Sequence, residues 1–372
     1  MLLILMVNIQ KMTVLVYNKK VFEINTKNQT TTTKLPITSD YLFDSDILSI
    51  LFGATSATQV PFLRKSLNIW KERKFNGESI AHFVVGTLKR ILTTGNSASL
   101  DSKDNWISIS ERYIDNDLFD VLKSNLYYNY NTESYYTVVN GANKYINPNT
   151  AIPDSEIKYL KIDEIEKALK EKFNLLSEFD KLKFHLEFQK VHQSAWKSTN
   201  IEHINPLFHR IENALNSLKK VVEVKDSIDG DFSSLNIINL VHANQEITRL
   251  IPMLISKMVY DKQKENINRD NVTCTSHLII DEAHNILNAQ NHSVGDTWQD
   301  YRLNIFEEII KEMYDRGYVM VHMHDLAEMQ EQPDGTKKMV KKQIMLPEGK
   351  KPFVMSQDDV NYYVYMEGHG FA

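Results

Sequence analysis

The chain has 372 residues, enough for one large domain or two ordinary ones, and its 42% hydrophobic content supports a buried core. A net charge of −5 excludes a globally basic surface of the nucleic-acid-binding type, so any DNA contact must come from local patches. A single cysteine, Cys274, excludes a disulfide framework and fits a reducing, cytoplasmic setting.

Met1–Val7 is the longest N-terminal apolar run. It is too short to span a bilayer and lacks the basic start and small-residue cleavage site of a secretory signal, so no membrane partner is expected. It reads as a buried strand, followed by β-rich text at Thr13–Tyr17 and Val21–Ile24. A helical segment comes next, with Ile47, Leu51, Phe62, Leu63 and Leu67 as core positions. The composition changes over roughly 98–195, dividing the chain into 1–97, 98–195 and 196–372. The middle zone holds a Tyr/Asn-rich stretch, Leu126–Tyr145, and a charged helical stretch from Asp163 to about Gln193. There Ile165, Leu169, Phe173 and Leu176 fall at helical spacing, and the zone reads as a mostly helical insertion.

In the last zone Leu207, Ile211, Ala214, Leu215, Leu218 and Val222 mark an amphipathic helix, and Leu235–Val241 a short apolar strand. Ile247, Leu250, Ile251, Leu254, Ile255, Met258 and Val259 trace a second helical stripe, with Pro252 as a kink or early-turn residue. The strand His277–Ile280 ends in Asp281-Glu282. A helix from about Leu303 follows, then strands at Tyr318–Met323 and Tyr362–Met366. Strand–helix–strand alternation of this kind predicts an α/β fold with a mainly parallel sheet covered by helices.

Leu278–His284 is the strongest motif. An apolar strand buried on both faces would deliver two carboxylates at its C-terminal edge, where α/β sheets bind ligands. An Asp placed there can hold the water shell of Mg²⁺, and the next Glu can orient the water that attacks a γ-phosphate. Two solvated acids after a strand are the plainer alternative. The strand should be central, flanked by Leu2–Val7 and Tyr318–Met323.

Leu278–Leu287, Tyr301-Arg302-Leu303 and Phe306–Glu312 resemble the Walker B strand and following helix of bacterial HerA/FtsK-type ATPases. Asn236–Tyr260 resembles the strand and helix just before it, Ser56–Gln59 with Pro61–Leu67 the region after Walker A, and Trp196–Leu218 the linker helix. The resemblance implies a three-layer RecA/ASCE-type P-loop NTPase core that binds ATP and Mg²⁺. Asp281 would serve the metal through water, Glu282 the attacking water and Arg302 the charge at a subunit-shared site; His324, at a strand end, reads as a polar sensor from its own position and not from the family's pattern. The resemblance further implies a hexameric ring acting on double-stranded DNA, in DNA processing or in anti-phage defence beside a nuclease or NAD-consuming partner.

Three departures from that pattern stand in the sequence. No G-x-x-x-x-G-K-S/T loop occurs, although such a loop supplies the N–H cradle and the Lys for the β- and γ-phosphates. In the family it precedes the strand that Leu2–Val7 resembles, so the chain reads as starting after it. The acidic, Gly-containing end of that strand is replaced by Met6–Ile9, and the Ser/Thr-Gln-Arg-Pro sensor by His322–Asp325. From about Gly317 the text is closer to phage RecA-like recombination ATPases, with a hairpin around Glu328–Gly335 and a lysine-rich segment, Lys337–Lys351. Two further readings therefore stay open: a non-catalytic remnant or interaction module, and a phage-type recombination ATPase.

Smaller signals carry less. His322, His324 and Asp325 lack a second metal-ligand group of matching spacing, and Cys274 with His277 lacks a second pair. Arg316, like Arg302, is a candidate for charge stabilisation at a subunit-shared site, and fits a surface ion pair slightly better. Lys337, Lys338, Lys341 and Lys342 form the dense basic cluster that could meet a phosphate backbone, or could simply solvate a hairpin. Tyr127, Tyr128, Tyr130, Tyr135 and Tyr136 fit a hairpin or edge strand better than a base-stacking platform.

Overall fold

The computed structural model describes residues 2–6, 19–27, 33–55, 57–94, 99–146, 158–195, 201–266, 277–280, 311–315, 317–321, 327–331, 333, 337–341 and 345–354. The chain is mixed α/β, and its contacts divide it into two compact units, Thr38–Lys219 and Met1–Ile37 with Lys220–Ala372.

The second of these units holds a four-stranded parallel sheet in the order β2-β8-β1-β9, where β1 is Leu2–Met6, β2 Lys19–Asn25, β8 Leu235–His242 and β9 His277–Ile280. Leu5 of β1 pairs with Ile238 on one side and Ile280 on the other. In β8, Leu235–Ile238 and Leu240 are buried, the near-continuous apolar run that a parallel strand covered on both faces requires. Asn236 is the buried polar exception. Its amide accepts from Ser233 N–H at 2.8 Å and donates to Ser233 O at 2.8 Å, so its burial leaves no group unpaired. Strand β3 (Leu35–Thr38) pairs with β7 (Val222–Lys225) in a separate small sheet.

Helix α10 (Gln245–Asn266) lies in the chain between β8 and β9. Ile247, Leu250, Ile251, Leu254, Ile255 and Met258 of its stripe are buried as their spacing predicts. Met253 and Ser256 are buried too, so the helix is covered well beyond one stripe. Pro252 lies inside it without ending it.

The expected placement of β9 holds on one side only. Its partner β1 is the neighbour that the strand pattern predicts. Among the described residues β9 ends the sheet, and β10 (Tyr318–Val321) pairs in parallel with β13 (Lys351–Val354) instead. A lysine-rich reading of Lys337–Lys351 hid the apolar strand Pro352-Phe353-Val354, which offers β10 an alternative edge. Ile279 is 49% exposed, so the Leu278–Ile280 run is not buried on both faces. Strands β11 (Ala327–Glu331) and β12 (Lys337–Lys341) form the expected antiparallel hairpin. Thr13–Tyr17 and Tyr362–Met366 lie outside the described residues.

The other unit is mostly helical. It comprises α1 (Ser39–Leu42), α2 (Ser45–Leu51), α3 (Gln59–Arg73), α4 (Gly77–Thr94), α5 (Ser99–Ser110), α6 (Asn116–Asn125), α7 (Ile162–Leu175) and α8 (Glu178–Ala195), with most of α9 (Ile201–Val221). It reaches well beyond 98–195 because α4 packs against α7 and α3 against α8. A change in composition near residue 97 therefore does not coincide with a packing boundary. Ile47, Leu51, Phe62, Leu63, Leu67, Ile165, Leu169 and Phe173 are all buried, as their spacing predicts. At the centre, Trp106 donates from Nε1 to Val84 O at 2.9 Å and meets Phe119 and Phe188 edge-on. One antiparallel sheet completes the unit, in the order β4 (Tyr127–Asn129), β5 (Ser134–Val139), β6 (Ala142–Ile146). Its Tyr135, Thr137 and Ile146 are buried.

Candidate functional site

Parallel strands all end on the same side of their sheet, and in open α/β folds that edge is where ligands bind. Here the edge gathers the ends of β2, β8, β1 and β9. In chain order β1 leads across β8 to β2, whereas β8 leads through α10 across β1 to β9.

The described part of this edge is a polar clasp between β2 and β8. Asn239 donates from Nδ2 to Glu23 Oε2 at 2.8 Å. Thr26 N–H donates to His242 O at 3.2 Å, and Thr26 Oγ1 accepts from Asn244 N–H at 2.8 Å. Lys220 Nζ donates to Thr26 O at 3.0 Å. Asn244 then caps α10: its Oδ1 accepts from Ile247 N–H at 3.0 Å, and its Nδ2 donates to Glu246 Oε2 at 2.9 Å. A side-chain oxygen on the third N–H, with an acid in the first turn, satisfies the positive end of the helix.

That chemistry decides what the described edge can hold. Glu23 and Glu246 are carboxylates, and the α10 N-terminus is occupied by its own cap. Among the described residues the edge offers these two carboxylates and one cation, Lys220, whose Nζ donates to Thr26 O. Among the described residues no group of three or more His, Cys, Asp or Glu is disposed to hold a metal ion.

Asp281 and Glu282 follow directly on Ile280, which pairs with Leu5. Asp281, Glu282, Arg302, His324 and Lys342 lie outside the described residues, as do Cys274, His322, Asp325 and Arg316. Lys337, Lys338 and Lys341 are on β12, in register with Glu331, Gln330 and Ala327. Strand alternation gives positions 337 and 341 one face and 338 the other.

The clasp residues Glu23, Asn239 and Thr26 were not singled out from sequence, since each is an ordinary polar residue at a strand end. Asn244 carried a readable signal: an Asn just before an apolar helical stripe, with Glu246 in the first turn, is an N-cap pattern. In the helical unit Glu187 is a buried titratable group paired between elements. Glu187 accepts from Tyr113 at 2.7 Å and pairs with Arg112 at 2.9 Å, and burial followed by this carboxylate pushes the Tyr113 hydroxyl far up. No protein-family model matches the chain, and no curated protein matches it. No helix among the described residues is long and apolar enough to cross a membrane.

Proposed function

We propose that this chain is the Walker B-bearing part of an ATP-driven motor domain of the HerA-like DNA-translocase kind, built on a three-layer RecA/ASCE-type core. The supporting observation is the parallel pairing of β9 with β1, which brings the strand ahead of Asp281-Glu282 to the same sheet edge as β8. The resemblance assigns Asp281 to Mg²⁺ through water, Glu282 to the attacking water and Arg302 to charge stabilisation across a ring of subunits, and the strand-end position of His324 suits a sensor. ATP and Mg²⁺ are the cofactors of this reading, and double-stranded DNA is its track. A hexameric assembly in the cytoplasm and a nuclease or NAD-consuming partner complete it. The sequence has no Walker A loop to hold the β- and γ-phosphates. A phage-type recombination ATPase has only the tail hairpin in its favour.

A second reading, an interaction module that keeps the sheet but binds no nucleotide, is favoured by the half-exposed Ile279 and the one-sided pairing of β9. Fluorescent ATP-analogue binding and turnover by the full chain separate the two. The motor reading expects Mg²⁺-dependent nucleotide binding, weakened by Asp281→Asn and unchanged by Glu282→Gln, with turnover near background because the cradle is missing. Absence of any Mg²⁺-dependent binding would overturn the motor reading. Robust turnover abolished by Glu282→Gln would show that groups outside the described edge hold the phosphates.

A further inference from the structure

Near its C-terminal end α8 meets both α3 and α4. The His192 ring rests on Phe83 of α4 with centroids 4.9 Å apart, and its Nδ1 is 3.1 Å from Thr87 Oγ1. Arg73, at the end of α3, lies over the same Phe83 ring at 5.6 Å and over Phe75 at 6.0 Å. Arg90 stands one turn beyond Thr87 on α4. Lys65 precedes Ser66, whose Oγ accepts from Nε2 of Gln193, the residue after His192, at 3.0 Å. Cations from two helices thus converge on one histidine, and Lys65, Arg73 and Arg90 are all exposed.

The charge at this place is one-sided. Arg64, next to Lys65, pairs with Asp46 at 3.2 Å. Among the described residues Lys65 and Arg73 have no such carboxylate partner, and the contacts of Arg73 are the two rings. Glu78, at the start of α4, is taken by Lys170 at 3.3 Å. Burial first, then Arg90, Arg73 and Lys65, hold His192 down at about 4, with no carboxylate offsetting them. Arg73 suits the last turn of α3, but Lys65 is more than two turns from that end, so helix dipoles do not account for the group. In a chain of net charge −5, cations gathered without an acid repel one another and fit an anion supplied from outside. A guanidinium laid on a ring keeps its N–H edge for an acceptor, and that fork matches phosphate oxygens. Several cations exceed the single charge of a carboxylate and match the roughly two charges of a phosphate monoester, or the larger charge of a polyphosphate.

We propose that Lys65, Arg73 and Arg90, gathered around His192, form a binding site on the helical unit for a phosphate-bearing ligand. The site is independent of the sheet edge and of Mg²⁺. Its phosphates come from a small polyphosphate or from a nucleic-acid backbone, which offer the same oxygens to the same cations.

Calorimetric titration of the full chain in EDTA at low salt tests this with pyrophosphate, a thymidine octanucleotide and a hexaglutamate peptide. One of the two phosphate ligands should bind about tenfold tighter than hexaglutamate. A tighter pyrophosphate marks a small-molecule site, and a tighter octanucleotide a strand-binding one. Lys65→Gln with Arg73→Gln should weaken the preferred ligand about tenfold. Lys170→Gln with Lys181→Gln removes two lysines already paired with acids and should leave it unchanged. An anion seated among the cations favours the charged imidazole, so the NMR titration of His192 should move up from about 4 at saturating ligand. No binding by either phosphate ligand, hexaglutamate binding as tightly, equal weakening in both variant pairs, or a His192 titration indifferent to ligand would overturn the proposal. Should the Lys65 and Arg73 double variant lose its fold, as circular dichroism would show, an unchanged affinity in Lys65→Gln alone overturns it equally.

Discussion

His185 sits on α8 with no exposed surface. Its Nε2 lies 2.8 Å from Ser66 O, and a carbonyl only accepts, so Nε2 carries the proton and Nδ1 is bare. Nδ1 has no hydrogen-bond partner, and Trp70 and Phe75 pack around the ring. Burial outweighs the Ser66 bond and holds the ring well below its ordinary 6.5, at about 4. His192, 3.1 Å from Thr87 Oγ1, is held to about 4 by burial and then by Arg90, Arg73 and Lys65. The sign follows from linkage. The unfolded chain takes up protons near 6.5, and the folded chain does not until about 4. Stability is therefore complete above 6.5 and is lost as pH falls toward 4, on the order of 3 kcal/mol for His185 alone. Urea unfolding across that window should show the loss, and His185→Gln, which keeps an amide donor for Ser66, should remove about half of it, the His192 share remaining. A variant whose pH dependence matched wild type would mean that the ring titrates alike in both states.

At the scale of elements, the joint between β8 and α10 depends on Asn244, which caps the helix and donates its own N–H to Thr26. Asn244→Ala should cost about 1 kcal/mol in urea unfolding, and Asn244→Asp should restore most of it because a carboxylate accepts from Ile247 equally well. Equal losses in both variants would place the contribution in the Nδ2 contact to Glu246 instead. The helices themselves were legible in the sequence. Leu207, Ile211, Ala214, Leu215 and Leu218 of α9 repeat with the helical period, and all are buried. Strand pairing was legible only in part. The apolar text of β1 and β9 marks two strands, but an apolar strand carries no label for its neighbour. β10 accordingly found β13 rather than β9. The tyrosine stretch was readable as a hairpin, and its third strand, β6, was hidden in polar text because four of its five residues are exposed.

For the whole molecule, a net charge of −5 predicts weak binding of duplex DNA by the lone chain. The register of the β11–β12 hairpin sharpens that expectation. Lys337 and Lys341 share a face, whereas Lys338 is on the other, and Glu331 lies opposite Lys337. If this face tracks phosphates, Lys337→Gln with Lys341→Gln should reduce the slope of log affinity against log salt by about 2, and Lys338→Gln should barely move it. Titrations at several salt concentrations decide this. A slope unchanged in the double variant would leave the lysines as a solvated hairpin. Extending the substitution to Lys338 and Lys342 should then change nothing further.

Periodicity and turn chemistry alone determined that the chain is mixed α/β, which residues line its helical cores, and that Asp281-Glu282 follows an apolar strand. Those signals are local, because a helix or strand buries one face through residues a few positions apart. Tertiary structure decided the strand order β2-β8-β1-β9, the one-sided position of β9, the reach of the helical unit to Thr38–Lys219 and the alignment of three tyrosines into a ladder. Each of these depends on contacts between residues far apart in the chain. Leu5 meets Ile280 and α4 meets α7 because packing, not adjacency, sets which apolar surfaces cover one another.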